Sequence, residues 1–213
     1  MSRMDELRAA AGRRFARVAT LAVTRWPRLW PVFRRLIGKQ FDSLAPRWEQ
    51  IIQPDHLAAY EAAVDSLEPP ARALDLGTGT GVGAFAIARR FPEAEVAGAD
   101  LSPGMIDEAR RQTPPELERR VRFEVADASR LPYPDGSFEL VALSNMIPFF
   151  DELARVVAPG GRVLVAFSRG ADTPIYVPDE RLRAELGSRG FAQFADFAAG
   201  DGTALVARKR EGA

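Results

Sequence analysis

Two acids and three glycines carry the chemistry that this chain advertises most openly. In "RALDLGTGTGVGAF", Arg72 to Phe85, an apolar run stops at Asp75 and glycines follow at 77, 79 and 81. Further on, the apolar run "VAGAD" ends in Asp100. Glycines at every second position remove side chains, so a ligand can lie against the backbone. The helix that opens near Gly81 presents free N–H groups and a positive dipole end. A nicotinamide dinucleotide fingerprint would want a glycine at position 82, where Val82 stands. A pyrophosphate gains nothing from an anion at Asp75, whereas a ligand with a cationic amino-acid portion does. Asp100 stands where a ribose diol is gripped.

These residues need a scaffold, and the pattern around them supplies one. Apolar runs predict strands over Ala73–Leu76, Glu95–Ala99, Val121–Ala126, Phe138–Leu143 and Arg162–Ser168. Helices are expected over Gly81–Phe91, Pro103–Gln112, Ile147–Val157 and Asp179–Arg189. Phe191–Ala198 and Thr203–Lys209 flank the turn Ala199-Gly200-Asp201-Gly202 and read as a terminal hairpin. Strands separated by helices imply parallel pairing with right-handed crossovers. The expected fold is therefore α/β: a Rossmann-like three-layer sandwich with a seven-stranded, mostly parallel sheet, a C-terminal antiparallel hairpin and an N-terminal helical cap. In such a sheet a ligand sits beyond the carboxyl ends of the strands, where the glycine loop lies.

The N-terminal part reads differently. Residues 5–24 place Leu7, Ala11, Phe15, Val18 and Ala22 on one helical stripe, with Arg8, Arg13 and Arg17 mostly opposite. After Pro27 and Pro31, Trp30, Phe33, Leu36 and Ile37 face away from Arg34, Arg35 and Lys39, and Gly38 can end that helix. A segment from Phe41 to Ile52 follows. Pro54 and Asp55 are expected to start another helix, with Asp55 as N-cap, running to about Leu67. Pro69-Pro70 marks a boundary, dividing a cap over 1–68 from a core over 69–213.

The chain has 213 residues, no net charge and no cysteine, which rules out a disulfide framework or a cysteine-based zinc site. No metal site is expected. The charge is divided: residues 1–40 hold ten Lys or Arg and two acids, leaving 19 basic and 27 acidic residues in the remainder. A basic arm thus sits on an acidic body. No apolar run is long enough to span a bilayer. The first thirty residues are broken by Arg and Asp and do not read as a secretion signal. A cytoplasmic setting is expected.

Four motifs stand in order along the chain: "DLGTGTG" (75–81), "GAD" (98–100), "ADASRLPYPDGSFEL" (126–140) and "ARVVAPGGRVLV" (154–165). In these the sequence resembles the class I S-adenosylmethionine-dependent methyltransferases, in particular the small UbiE-like family, over residues 41–213 or so. The resemblance implies S-adenosylmethionine as cofactor. It also implies roles. Asp75 and the loop of Gly77, Thr78, Gly79 and Gly81 would hold the methionine end. Asp100 would bind the ribose hydroxyls, with Leu101 beside the adenine. Asp127 would accept from the adenine amine, and Ala128 would offer its main-chain N–H. Ser144 would lie near the sulfur, with Asn145 and Met146 beside it. Phe41 and Trp48 look like an aromatic segment that folds over the cofactor. Plainer readings stand beside these: Asp127 as a turn cap, Asp100 as part of a helix cap, Phe41 and Trp48 as core.

No general base stands out. His56 and Tyr176 are the weak candidates, with Asp42, Tyr60 and Asp172 behind them. "SNMIPFF" occupies the place of the Asn-Pro-Pro-Tyr motif of the nucleic-acid adenine amino-methylases, which argues against that activity. The stretch from Leu143 to Pro159 is shorter than the family usually has. The connection Arg169–Pro178 is too short for a substrate-binding insertion, so any lid must come from residues 1–68.

The reading is an enzyme that transfers a methyl group to a small or amphipathic, lipid- or quinone-like acceptor by in-line displacement. A non-catalytic cofactor-binding module or scaffold is the second reading, and a nicotinamide oxidoreductase is disfavoured by Val82 and Asp75. Nucleic acid is not an expected partner, because an acidic body repels phosphates. For the basic arm, packing on the sheet or on a partner subunit is preferred. Peripheral contact with an anionic inner-membrane face through residues 1–40 is the other reading. The acceptor, the atom methylated and the oligomeric state are open at this level.

Overall fold

The computed structural model of the chain describes residues 3–52 and 55–212. The expected helix start at Pro54 lies outside them, as do the side chains of Leu7, Arg8, Ala11 and Arg13. In chain order the elements are α1 (Arg3–Arg25), α2 (Trp30–Leu44), α3 (Trp48–Ile51), α4 (Ala58–Asp65), β1 (Arg72–Leu76), α5 (Val82–Arg90), β2 (Glu95–Asp100), α6 (Pro103–Gln112), β3 (Val121–Val125), β4 (Phe138–Ser144), α7 (Phe150–Val156), β5 (Val157–Phe167), α8 (Asp179–Gly187), β6 (Phe191–Ala199) and β7 (Gly202–Lys209).

The seven strands form one sheet in the order β3-β2-β1-β4-β5-β7-β6. β1 to β5 pair in parallel, and β7 pairs antiparallel with both β5 and β6. The expected α/β sandwich with its closing hairpin is what the chain forms. Strand order reverses between β1 and β4, which puts the glycine loop and Ser144 at the switch point.

Period-two alternation divides the core. Ala73, Leu140, Ala142 and Leu164 point to one face and pack with Tyr60, Phe85, Ile87 and Ile106. Leu74, Leu76, Val141, Leu143 and Val165 point to the other and pack with Leu153, Leu182, Val23 and Trp30. The first face therefore belongs to α4, α5 and α6. The second is shared by α7, α8 and, through Val23 and Trp30, the N-terminal helices.

Several local expectations are corrected. Gly38 does not end α2, which runs on to Leu44. Its missing side chain instead lets the helix approach Leu101, 3.6 Å from where a Cβ would stand. Asp55 is not an N-cap: α4 starts at Ala58 after Leu57, and the Asp55 carbonyl accepts from the Ala58 N–H. The helix after β4 starts at Phe150 rather than Ile147, because Pro148 biases its predecessor away from helix. The stripe on α1 is rotated. Val18 is exposed, while Thr20 and Thr24 are buried with their hydroxyls bonded to the carbonyls of Ala16 and Thr20. Leu36 faces solvent beside Arg35 and Lys39.

Candidate functional site

The site is built where β1, β2, β3 and β4 end. The loop after β1 turns through Gly77 (φ 70°), Gly79 (φ 55°) and Gly81 (φ 90°), conformations that side chains rarely adopt. The N–H groups of Gly77 and Thr78 both donate to the Ala99 carbonyl, at 2.8 and 3.1 Å. The Gly79 N–H donates to Asp100 Oδ2 at 3.0 Å, and the Ser102 N–H to Asp100 Oδ1 at 2.9 Å. The end of β2 thus holds the glycine loop in shape.

The glycines serve different neighbours. A Cβ on Gly77 would stand 2.7 Å from Met146 Sδ, so its open side faces the segment after β4. A Cβ on Gly79 would lie 3.7 Å from the indole nitrogen of Trp48. A Cβ on Gly81 would meet the Phe123 ring at 2.7 Å, inside the core. Gly81 is therefore a packing glycine, in contrast to the reading that all three clear space for a ligand.

Asp75 is turned inward. Its carboxylate accepts from Tyr60 Oη at 2.9 Å and Thr78 Oγ1 at 2.6 Å. Burial pushes its pKa up to about 6, against the lowering effect of those bonds and of the Ala84 N–H. Burial and the Asp75 charge raise Tyr60 well above its usual value. This anion ties α4, the glycine loop and α5 together from below. Tyr60, a base candidate by sequence, is its buried partner.

Asp127 sits after β3, half-buried, and its two oxygens are well used. Oδ1 accepts from Trp30 Nε1 (2.7 Å), the Ser129 N–H (2.9 Å) and Ser129 Oγ (2.7 Å), and Oδ2 from Arg34 Nη1 (3.1 Å). Burial alone would raise this carboxyl; the bonds from Ser129, Trp30 and Arg34 outweigh it and hold it below its ordinary value. Ala128 is buried beside it. Arg155 fastens the segment that follows, donating to the carbonyls of Tyr133 (2.7 Å) and Leu131 (3.1 Å). That arginine belongs to the fourth motif and the segment to the third, so one motif positions the other.

Ser144 ends β4, with its Oγ buried and without a hydrogen-bond partner. Next to it Asn145 adopts φ 51° and exchanges hydrogen bonds with Ser168 across to β5 (3.0 and 2.9 Å).

Over these loops lies α2. Every fourth residue of the helix meets one of them: Trp30 and Arg34 reach Asp127, Gly38 covers Leu101, and Asp42 Oδ1 accepts from Ser102 Oγ (2.6 Å) and the Gly104 N–H (3.1 Å). The row continues beyond the helix, where Trp48 covers Gly79 and Thr80 Oγ1 donates to Glu49 Oε1 at 2.7 Å. Phe41 and Trp48 pack edge to face at 5.6 Å between centroids. By the sequence pattern Arg34 belongs with the outward-facing Arg35 and Lys39, and nothing along the chain singles out Glu49. Only the i, i+4 spacing of Trp30, Arg34, Gly38 and Asp42 hinted at a shared face.

Tyr176 packs its ring on Phe167 at 5.0 Å, next to β5. Asp172 is exposed in the turn Gly170–Asp172, and α1 meets that turn through Arg17, which donates to the Ala171 carbonyl at 3.4 Å. His56 lies in the turn before α4. Among the described residues no three His, Cys, Asp or Glu side chains group as metal ligands.

The arrangement offers carboxylates at the ends of β2 and β3, an orphaned hydroxyl at the end of β4 and a glycine-rich loop between them. Two carboxylates beside an open glycine loop suit the hydroxyl and amine donors of an adenosine, whereas Asp75, turned down to Tyr60 and Thr78, is not exposed to a cationic tail.

Comparison with known proteins agrees. Residues 73–161 match the family described as "Methyltransferase domain". The chain is 38% identical over 144 residues to a malonyl-[acyl-carrier protein] O-methyltransferase of Halorhodospira halophila, covering 62% of this chain and 48% of that protein. It is 42% identical over 142 residues to a demethylmenaquinone methyltransferase of Thermus thermophilus, covering 59% and 62%. The chain thus spans about half to three fifths of the length of these curated relatives. A crystal structure of an S-adenosylmethionine-dependent methyltransferase from Aquifex aeolicus has the same fold, with a TM-score of 0.62 at 14% identity, over 77% of this chain and 97% of that one. Motif order and aligned relatives point the same way: residues 73–161 carry a methyltransferase domain, and the chain is similar there to the class I S-adenosylmethionine-dependent methyltransferases.

Proposed function

We propose that the chain transfers a methyl group from S-adenosylmethionine to a small amphipathic acceptor of quinone- or lipid-like character. The observation that carries this reading is the row formed by Asp100, Asp127 and the partnerless Ser144 hydroxyl around the glycine loop. Asp100 takes the ribose, Asp127 the adenine amine, and Ala128 and Leu101 flank the base. The backbone at Gly77, Thr78 and Gly79 takes the methionine end, with Asp75 holding that loop from beneath. The cofactor supplies a methyl group already activated by its sulfonium. The chain's own task is to align the acceptor with it and to exclude water. Phe41, Trp48 and Trp30 form the apolar roof for that purpose. The lid is α1 to α3, and α4 belongs with the core. Relatives named for demethylmenaquinone and malonyl-acyl-carrier protein support an acceptor of this kind. Tyr176 and His56 remain candidates for a base, which an amine acceptor would not need.

A second reading, a cofactor-binding module without catalysis, is favoured by one observation: Trp30 and Arg34 already occupy Asp127. Calorimetric titration with S-adenosylmethionine and, in parallel, NADH tests the cofactor. Release of S-adenosylhomocysteine with a demethylated naphthoquinone tests the chemistry. Micromolar binding of the first ligand with product release supports the enzyme. Binding without product across quinone and fatty-acyl acceptors favours the module. An Asp100→Asn chain that binds as tightly as the parent sinks the ribose assignment.

A further inference from the structure

Residues 7–41 contain no Asp or Glu, although the chain as a whole has as many acidic as basic residues. The same region carries most of the large apolar side chains that stand exposed among the described residues. Of the eight large apolar side chains exposed among the described residues, seven lie between positions 18 and 51. At about 100° per residue, Arg14, Arg17, Val18, Leu21 and Arg25 fall on one arc of α1, and all five are exposed. On α2 the same arithmetic groups Val32, Arg35, Leu36 and Lys39, again all exposed. Val18 is 62% exposed, Leu21 56%, Val32 73% and Leu36 55%. Between the helices Trp26 is 59% exposed, with the Arg25 guanidinium 5.8 Å from its ring centroid. Phe15 and Phe33 join the two helices at 6.0 Å between ring centroids. The opposite sides of these helices carry Val23 and Trp30 into the sheet's core.

We propose that the outer side of α1 and α2 is a docking surface for an anionic lipid bilayer. Apolar side chains interleaved with arginines, and an indole at the turn, suit the boundary between acyl chains and phosphate headgroups. Other occupants match only part of the surface. A second copy docking through the same face would bring a like-charged arm against it. A nucleic acid would leave Val18, Leu21, Val32 and Leu36 unused, and the acidic body would repel it. The inner side of α2 covers the loops of the proposed methyl-transfer site, so a bilayer here would bring an amphipathic acceptor to the lid. The docking surface itself does not depend on that reading.

The test is co-sedimentation of the full chain with vesicles of phosphatidylcholine alone and of phosphatidylcholine with phosphatidylglycerol, without cofactor. Recovery with the anionic vesicles only, weakening with salt, is the expected result. Arg14→Gln and Arg25→Gln should each lower partitioning about fivefold. Leu21→Ser with Val32→Ser should lower it as well, and circular dichroism confirms that these surface variants fold. Anionic vesicles should shift tryptophan emission to the blue, and Trp26→Phe should remove most of that shift. No recovery with either vesicle, or equal recovery with both, overturns the proposal. So does a dimer in sedimentation equilibrium that Leu21→Ser with Val32→Ser dissociates. Vesicle binding by a chain with no affinity for S-adenosylmethionine would overturn the methyl-transfer reading and leave the docking surface standing.

Discussion

The indole N–H of Trp30 donates to Asp127 Oδ1 at 2.7 Å, between residues 97 apart in sequence. Under the proposed function, the adenine amine needs the same carboxylate. The indole then stands in for the base while the lid is down, and cofactor and Trp30 compete. Trp30→Phe keeps a ring against Phe149 but loses the donor. S-adenosylmethionine should then bind about fivefold more tightly, the worth of one hydrogen bond of roughly 1 kcal/mol. Calorimetry on the two chains decides it, and unchanged or weaker binding would place the adenine away from Asp127.

Asp75 makes stability depend on pH with an unusual sign. Its pKa is raised from 3.8 to about 6, so the folded chain holds this proton more tightly than the unfolded chain. The resulting stabilisation is full below about pH 4 and is lost as pH rises through 6. A shift of that size corresponds to about 3 kcal/mol across the window. Asp75→Asn removes the titration. Its stability relative to the parent should therefore rise between pH 4 and pH 7 in urea melts. A difference that falls over that range would mean that Tyr60 and Thr78 stabilise the charged form more than burial penalises it.

Gly81 and Gly187 offer a matched pair. Gly81 has φ 90°, and a Cβ there would lie 2.7 Å from Phe123. Gly187 ends α8 with nothing within 4 Å. Gly81→Ala should cost about 2–3 kcal/mol from strain and overpacking. Gly187→Ala should be neutral or slightly stabilising. Equal melting temperatures for the two variants would refute the packing role of Gly81.

Ser144 Oγ is buried without a partner, which costs folding free energy. Ser144→Ala should leave the melting temperature unchanged or raise it by a few degrees, as about 1 kcal/mol of desolvation penalty disappears. The same variant should lower methyl-transfer activity if the hydroxyl serves the ligand. A loss of stability with full activity would assign Ser144 to the fold alone.

Much of this molecule is legible along the chain. The strand–loop–helix around "DLGTGTG", the acid closing β2 and the terminal hairpin follow from local periodicity and turn chemistry, which act between near neighbours in sequence. Pro103–Gln112 keeps the bounds expected of it, because Ser102 caps it through its own side chain at 3.1 Å from the Met105 N–H. The N-terminal helices are less legible along the chain. Their apolar residues do not mark a single stripe, since Val18 and Leu36 face out while Thr20 and Thr24 go in.

The sheet, the helices that flank it and the glycine loop are written in the order of residues along the chain, because burial in a parallel sheet demands those apolar runs and the turn after β1 demands those glycines. Tertiary structure alone decided what the polar residues do there. It turned Asp75 down to Tyr60, joined Arg155 to the third motif and laid Trp30, Arg34, Gly38 and Asp42 across the ends of β2 and β3. These are pairings between segments up to 97 residues apart. A charge or a hydrogen-bond donor does not name its partner until packing brings the two together.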